Sequence, residues 1–263
     1  MKNSFIKSAL VGMALALSAG TASAVVTTQL GGTLDASGSV SGSDWVLSRQ
    51  GWADAVATLP VDGSVELTIV RFASTASVVI GPTIVDSLAT RANLVTQLEN
   101  LSKSGNGGST DIAAGITTLA NAMVGSANWN GGATDSFMNI SSDGGSNATA
   151  AANAAKAAQA AGIDASTAEA IGPGAATGTL LRTVFNGSCA ADTGCGTLLA
   201  TDSLPPNPLN TAWVLPTSDF EAFGDALKQK VGVIVGVPVP APLALLAIGL
   251  FGIGMFSRKA RAA

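Results

Sequence analysis

The sequence contains no histidine and no tyrosine, only two cysteines, and charged side chains at 11% of its 263 positions. Each shortage removes a chemistry. Without imidazole there is no histidine general base, no Ser-His-Asp or Cys-His nucleophile and no His-ligated zinc. A hydrolase would need Lys or a carboxylate as its base, and no Ser-x-x-Lys arrangement stands in a suitable context. Two thiolates without further Cys or any His cannot close a structural zinc site. Basic residues are scarce too, and five of them (Lys2, Lys7, Arg258, Lys259 and Arg261) lie at the two ends. Between those ends eight basic residues face 17 acidic ones, a net charge of −9. A domain of that charge is repelled by phosphate backbones, which argues against nucleic acid as a partner.

What the chain has in quantity is Ala, Gly, Ser and Thr, over a length sufficient for one large α/β domain or two small ones. It opens with a basic segment from Met1 to Lys7, an apolar run from Ala9 to Leu17 and the tripeptide Ala22-Ser23-Ala24. Those three parts describe a secretory signal peptide over residues 1–24, so that the mature chain begins at Val25. In an exported chain Cys189 and Cys195 read as a small-loop disulfide and not as a metal pair.

The interior alternates strand and helix patterns. Val25 to Leu34 reads as a strand, interrupted by Gly31-Gly32, and a helix capped by Ser41 or Ser43 follows until Pro60. Ser64 to Phe72 alternates as a strand, with Thr75 to Ile80 as its hairpin partner and Gly81-Pro82 closing the pair. Helices are expected over Ser87 to Leu101 and Asp111 to Ala120, a strand over Ser136 to Ser141, an Ala-rich helix over Ala148 to Ala161, and a weak strand over Ile163 to Ile171. Residues 172–210 dissolve into Gly, Pro and Thr and read as a loop insertion. Thr211 to Leu215 reads as a last strand, and Asp219 to Lys230 as a last helix, acidic at its start and basic at its end as the helix dipole prefers. The expected fold is α/β: a doubly wound, mostly parallel sheet flanked by helices, with one antiparallel edge strand.

In such a sheet the binding crevice lies beyond the carboxyl ends of the strands, near the switch point of strand order. Three loops can meet there. One carries Asp35, Ser37 and Ser39, the second is the Gly-rich run ending at Thr110, and the third carries Asp143. Singly, these residues also suit capping turns, and Thr110 alone reads as a helix N-cap. Pooled, two carboxylates and three hydroxyls suit Mg²⁺, or Mn²⁺, rather than Zn²⁺ or a Ca²⁺ cage.

The set resembles the von Willebrand factor type A (VWA) domain and its metal-ion-dependent adhesion site. Asp35-Ala36-Ser37-Gly38-Ser39 matches the D-x-S-x-S element, Thr110 the lone threonine, and Asp143 in Ser142-Asp143-Gly144 the distal aspartate. The resemblance implies a VWA-like domain over residues 25–231 in which Ser37, Ser39 and Thr110 ligate the ion directly. Asp35 and Asp143 sit near it, one or both acting through water. It also implies that a partner's carboxylate fills the open position.

After that domain, residues 232–263 hold Val237-Pro238-Val239-Pro240-Ala241, an apolar run from Leu243 to Phe256, and a basic cap from Arg258 to Arg261. This tail is similar to a PEP-CTERM-type sorting signal in its Val-Pro-x-Pro-Ala variant, with a simple membrane anchor as the alternative. The resemblance implies recognition by an exosortase-type membrane enzyme, at least transient residence in the membrane, and a Gram-negative source. The functional expectation is a non-enzymatic, exported binding module at the cell surface or matrix, binding an acidic group on a protein or polysaccharide. The alternative is a structural matrix protein whose ion only braces the loops.

Overall fold

A strand covered by helices on both faces loses the in-and-out alternation of a solvated sheet. β1 (Thr28–Asp35) and β5 (Ala165–Ile171) are of this kind, every residue buried. The computed structural model describes residues 25–103, 108–129, 134–172 and 176–236. The remaining elements are α1 (Gly42–Val56), β2 (Val65–Phe72), β3 (Ala76–Ile84), α2 (Leu88–Glu99), α3 (Ile112–Val124), β4 (Asp135–Ser142), α4 (Ala148–Ala160), α5 (Thr177–Leu180), β6 (Thr197–Leu198), β7 (Trp213–Thr217) and α6 (Phe220–Ile234). The strands form one seven-stranded sheet in the order β3-β2-β1-β4-β5-β7-β6. All neighbours are parallel except β2 and β3. The chain therefore starts in the middle, winds outward through β2 to β3, and returns to the other side of β1 as β4. That reversal is the doubly wound switch point, and it places the ends of β1 and β4 side by side.

One core lies on the face covered by α1, α2 and α6, around Trp52, Leu67, Leu98, Phe223 and Leu227. The other lies under α3 and α4, around Phe72, Ile116, Met138, Ile140 and Ala155. The Gly31-Gly32 pair, which weakens β1 as a sequence, is what lets both layers approach. A side chain at Gly31 would run into Met123 and Leu119 of α3, and one at Gly32 into the Trp52 indole of α1. Ala-rich β5 is explained in the same way: its small residues accept the Ala151, Ala155 and Ala158 face of α4.

Several boundaries differ from the sequence expectation. β3 runs through Gly81-Pro82 to Ile84, pairing Thr83 with Leu67 and Ile84 with Glu66 across an irregular register. Proline is tolerated there because β3 is an edge strand. The last helix extends to Ile234, four residues past Lys230. Lys230 is thus no dipole-complementing end residue: it is fully buried and ion-paired with Glu169 of β5. Residues 172–210 form more than a loop, adding α5 and the edge strand β6. Cys189 and Cys195, six apart in sequence, are bonded within that segment. Closing so short a loop is worth about 2 kcal/mol on the chain-entropy model. Reduction is therefore expected to lower the unfolding midpoint by roughly 4–8 °C in a thermal melt.

Among the described residues no helix is long and apolar enough to cross a membrane. The expected signal peptide and the tail from residue 237 lie outside the described residues.

Candidate metal centre

β1 ends at Asp35, whose side chain is 2% exposed. The chain must turn at once to start α1, and Asp35 shapes that turn by accepting a hydrogen bond from the Ser37 amide on Oδ1 at 2.8 Å. The turn brings the Ser37 and Ser39 hydroxyls within 3.0 Å of each other. Ser39 then donates to Asp143 Oδ1 at 2.7 Å, linking the first loop to the one after β4. Ser41 caps α1 in a capping box with Asp44, so neither Ser37 nor Ser39 is spent on the helix.

The Gly-rich loop is held through backbone bonds. Gly38 N–H donates to Gly108 C=O at 3.3 Å and Asp111 N–H to Ala73 C=O at 2.8 Å. Asp111, and not Thr110, caps α3, accepting from the Ala114 amide at 3.0 Å. The Thr110 hydroxyl is thereby left for another use. It lies over Gly144, where an added Cβ would stand 3.0 Å from Thr110 Oγ1 and 3.3 Å from Ser39 Oγ. Gly144 is the small residue that lets the loops close. All five residues singled out from sequence thus come together at the switch point, and Gly105 to Gly107 of the Gly-rich loop lie outside the described residues.

Ser142 is a member of the site that sequence reasoning missed. It is fully buried, and its hydroxyl donates to Asp35 Oδ2 at 2.5 Å. Its place directly before Asp143 was the available signal, since a strand-end hydroxyl beside a carboxylate is positioned to reach across to the next strand.

The donor set fits a hard divalent cation. Its side chains present oxygen only, and among the described residues no Lys or Arg ion-pairs with Asp35 or Asp143. Two carboxylates are nonetheless held together: burial pushes the Asp35 carboxyl above its usual range, the Ser142 and Ser37 hydrogen bonds oppose this, and the Asp143 charge raises it further. Among the described residues no three His, Cys, Asp or Glu side chains cluster, so any ion site here must rest on hydroxyls as well as acids. A raised carboxyl pKa favours the protonated fold. The contribution of Asp35 to metal-free stability is therefore complete below its unfolded pKa of about 3.9 and is lost as pH rises through its folded pKa. In EDTA at pH 7, Asp35→Asn is expected to raise the unfolding midpoint, with the gain shrinking towards acid pH. A midpoint below that of the natural chain would contradict this.

Residues 33–191 match the model of the von Willebrand factor type A domain. The chain belongs to this family. Solved structures share the VWA fold at low identity. Proximal thread matrix protein 1 from the mussel byssus is 17% identical with a TM-score of 0.58, over 80% of this chain and 49% of that one. The same mussel protein has also been solved with a zinc-occupied MIDAS motif. A von Willebrand factor type A protein from Catenulispora acidiphila is 15% identical, TM-score 0.59, over 81% of this chain and 43% of that one. An aerotolerance-related membrane protein from Bacteroides fragilis NCTC 9343 is 14% identical, TM-score 0.52, over 78% of this chain and 98% of that one. The chain thus spans about half the length of the mussel protein. No curated protein matches it in sequence. β7 and α6 lie beyond the matched residues but complete the same sheet and core.

Proposed function

We propose that this VWA domain is a metal-dependent binding module. Ser37, Ser39 and Thr110 supply direct hydroxyl ligands to Mg²⁺ or Mn²⁺, and Asp35 and Asp143 flank it. A dication held largely by neutral ligands keeps net positive character, which draws an acidic group of a protein or polysaccharide partner. The observation that carries the reading is the meeting of these five side chains, from three loops, around Gly144. No enzymatic step is assigned, in keeping with a sequence that has no histidine. The two terminal segments support export across an inner membrane and sorting, through an exosortase-type enzyme, to the cell surface or matrix of a Gram-negative bacterium.

Metal and partner are coupled in this reading, so each strengthens the other. Retention of the full chain on immobilised polygalacturonate or polyglutamate is expected to fall at least about tenfold when Mg²⁺ is replaced by EDTA, a coupling of about 1.4 kcal/mol or more. Retention on both resins that EDTA leaves unchanged would contradict it. That outcome would favour the second reading, a structural matrix protein in which the ion only braces the loops. Likeness to a byssus matrix protein solved with metal in this motif supports that alternative.

A further inference from the structure

We propose that Ser142 is a positioning residue of this centre, fixing the Asp35 carboxylate and tying it to the turn that carries Asp143. The inference rests on the metal reading above. β1 and β4 run to Asp35 and Ser142, yet their paired register stops at Gly32 opposite Asn139. Beyond that point side-chain hydroxyls replace the backbone ladder. Thr33 Oγ1 donates to the Asn139 carbonyl at 3.3 Å and accepts from the Ser141 amide at 3.2 Å, and Ser141 Oγ donates to the Thr33 carbonyl at 2.9 Å. Ser142 is the last link, and unlike Ser141 it meets a carboxylate.

A hydroxyl has one proton to give and two lone pairs. At 2.5 Å from a carboxylate oxygen, against 3.2 Å from the Gly144 carbonyl, that proton belongs to Asp35 Oδ2. A lone pair is then free to accept the Gly144 amide at 3.2 Å. Ser142 therefore holds the Asp35 carboxylate with one hand and the Asp143-Gly144 turn with the other. The Ser37 amide holds the second Asp35 oxygen, so two anchors fix the rotation of the carboxylate. Losing one leaves it hinged. Outer partners of this kind typically change metal affinity 10- to 100-fold when removed.

The test is calorimetric titration of Mg²⁺ into the full chain, with thermal melts in EDTA alongside. Ser142→Ala is expected to weaken Mg²⁺ about 10- to 100-fold. Ser142→Thr, which keeps the donor, should stay within about threefold of the natural chain. Ser141→Ala is the matched control: equally deep in the strand end but bonded only to backbone, it should lower the EDTA melt and leave the Mg²⁺ affinity within the same limit. A folded Ser142→Ala with unchanged affinity would overturn the inference, as would Ser141→Ala weakening Mg²⁺ as much as Ser142→Ala does. Should Ser142→Ala not fold, Ser142→Cys, close in size and a poorer donor, carries the same comparison. If the natural chain itself shows no Mg²⁺ binding, the metal reading has failed and this one falls with it.

Discussion

Lys230→Ala is expected to destabilise the domain by about 3–5 kcal/mol, the usual cost of leaving one charge of a buried pair uncompensated. Lys230 reaches from α6 into the sheet, where its ammonium pairs with Glu169 Oε1 and donates to Thr167 Oγ1 at 3.2 Å. It also lies over the Trp213 ring, 5.0 Å from the centroid. Both charged side chains are 0% exposed. Burial pulls the Lys230 pKa below the usual lysine range, and the Glu169 carboxylate opposes that pull. Among the described residues the second Glu169 oxygen has no hydrogen-bond partner, so the pair is not fully satisfied. An apolar replacement of both members should therefore be tolerated. Lys230→Met with Glu169→Leu is expected to recover most of the loss, within about 1 kcal/mol of the natural chain or above it. Urea unfolding of the three proteins checks this. A single Lys230→Ala costing under about 1 kcal/mol would show that the pair is hydrated in solution.

Trp52→Ala should cost a similar amount, about 3–5 kcal/mol, as large aromatic truncations in cores do. The indole is 0% exposed and occupies the space that Gly32 leaves above β1. No neighbouring side chain at Gly32 can close the hole, because there is none. Trp52→Phe should lose less, since it gives up packing but also removes a buried indole N–H that lacks a partner among the described residues. Equal destabilisation by Trp52→Phe and Trp52→Ala in denaturant melts would contradict this packing account.

The site was legible in the sequence because its parts are short, local and ordered. D-x-S-x-S needs only its own turn, and Thr110 and Asp143 each stand at an element boundary marked by glycine. Their convergence followed from the alternation of strands and helices, which implies a parallel sheet with a switch point. Tertiary compensation was illegible. Gly31-Gly32 looks like a weakness until Trp52 and Met123 are seen to use the space. β5 looks too rich in alanine until the alanines of α4 are packed on it. Lys230 reads as a surface cation at a helix end, since nothing local tells of Glu169 some sixty residues earlier. Ser142 was overlooked for a related reason: its partner, Asp35, lies on another strand. Residues 172–210 carry almost no periodicity, and the β6 pairing within them depends on β7, which follows.

The central claim is that Asp35, Ser37, Ser39, Thr110 and Asp143 hold a divalent cation together. The most direct measurement is the thermal unfolding of the full chain with EDTA or with saturating Mg²⁺, alongside Asp143→Ala. A ligand at a hundred times its dissociation constant stabilises the fold by about 2.7 kcal/mol. For a domain of this size that corresponds to a rise of roughly 5–11 °C in the natural chain. In Asp143→Ala the rise is expected to disappear while the protein stays folded. Equal Mg²⁺ responses in the two proteins, or no response in the natural chain, would contradict the account.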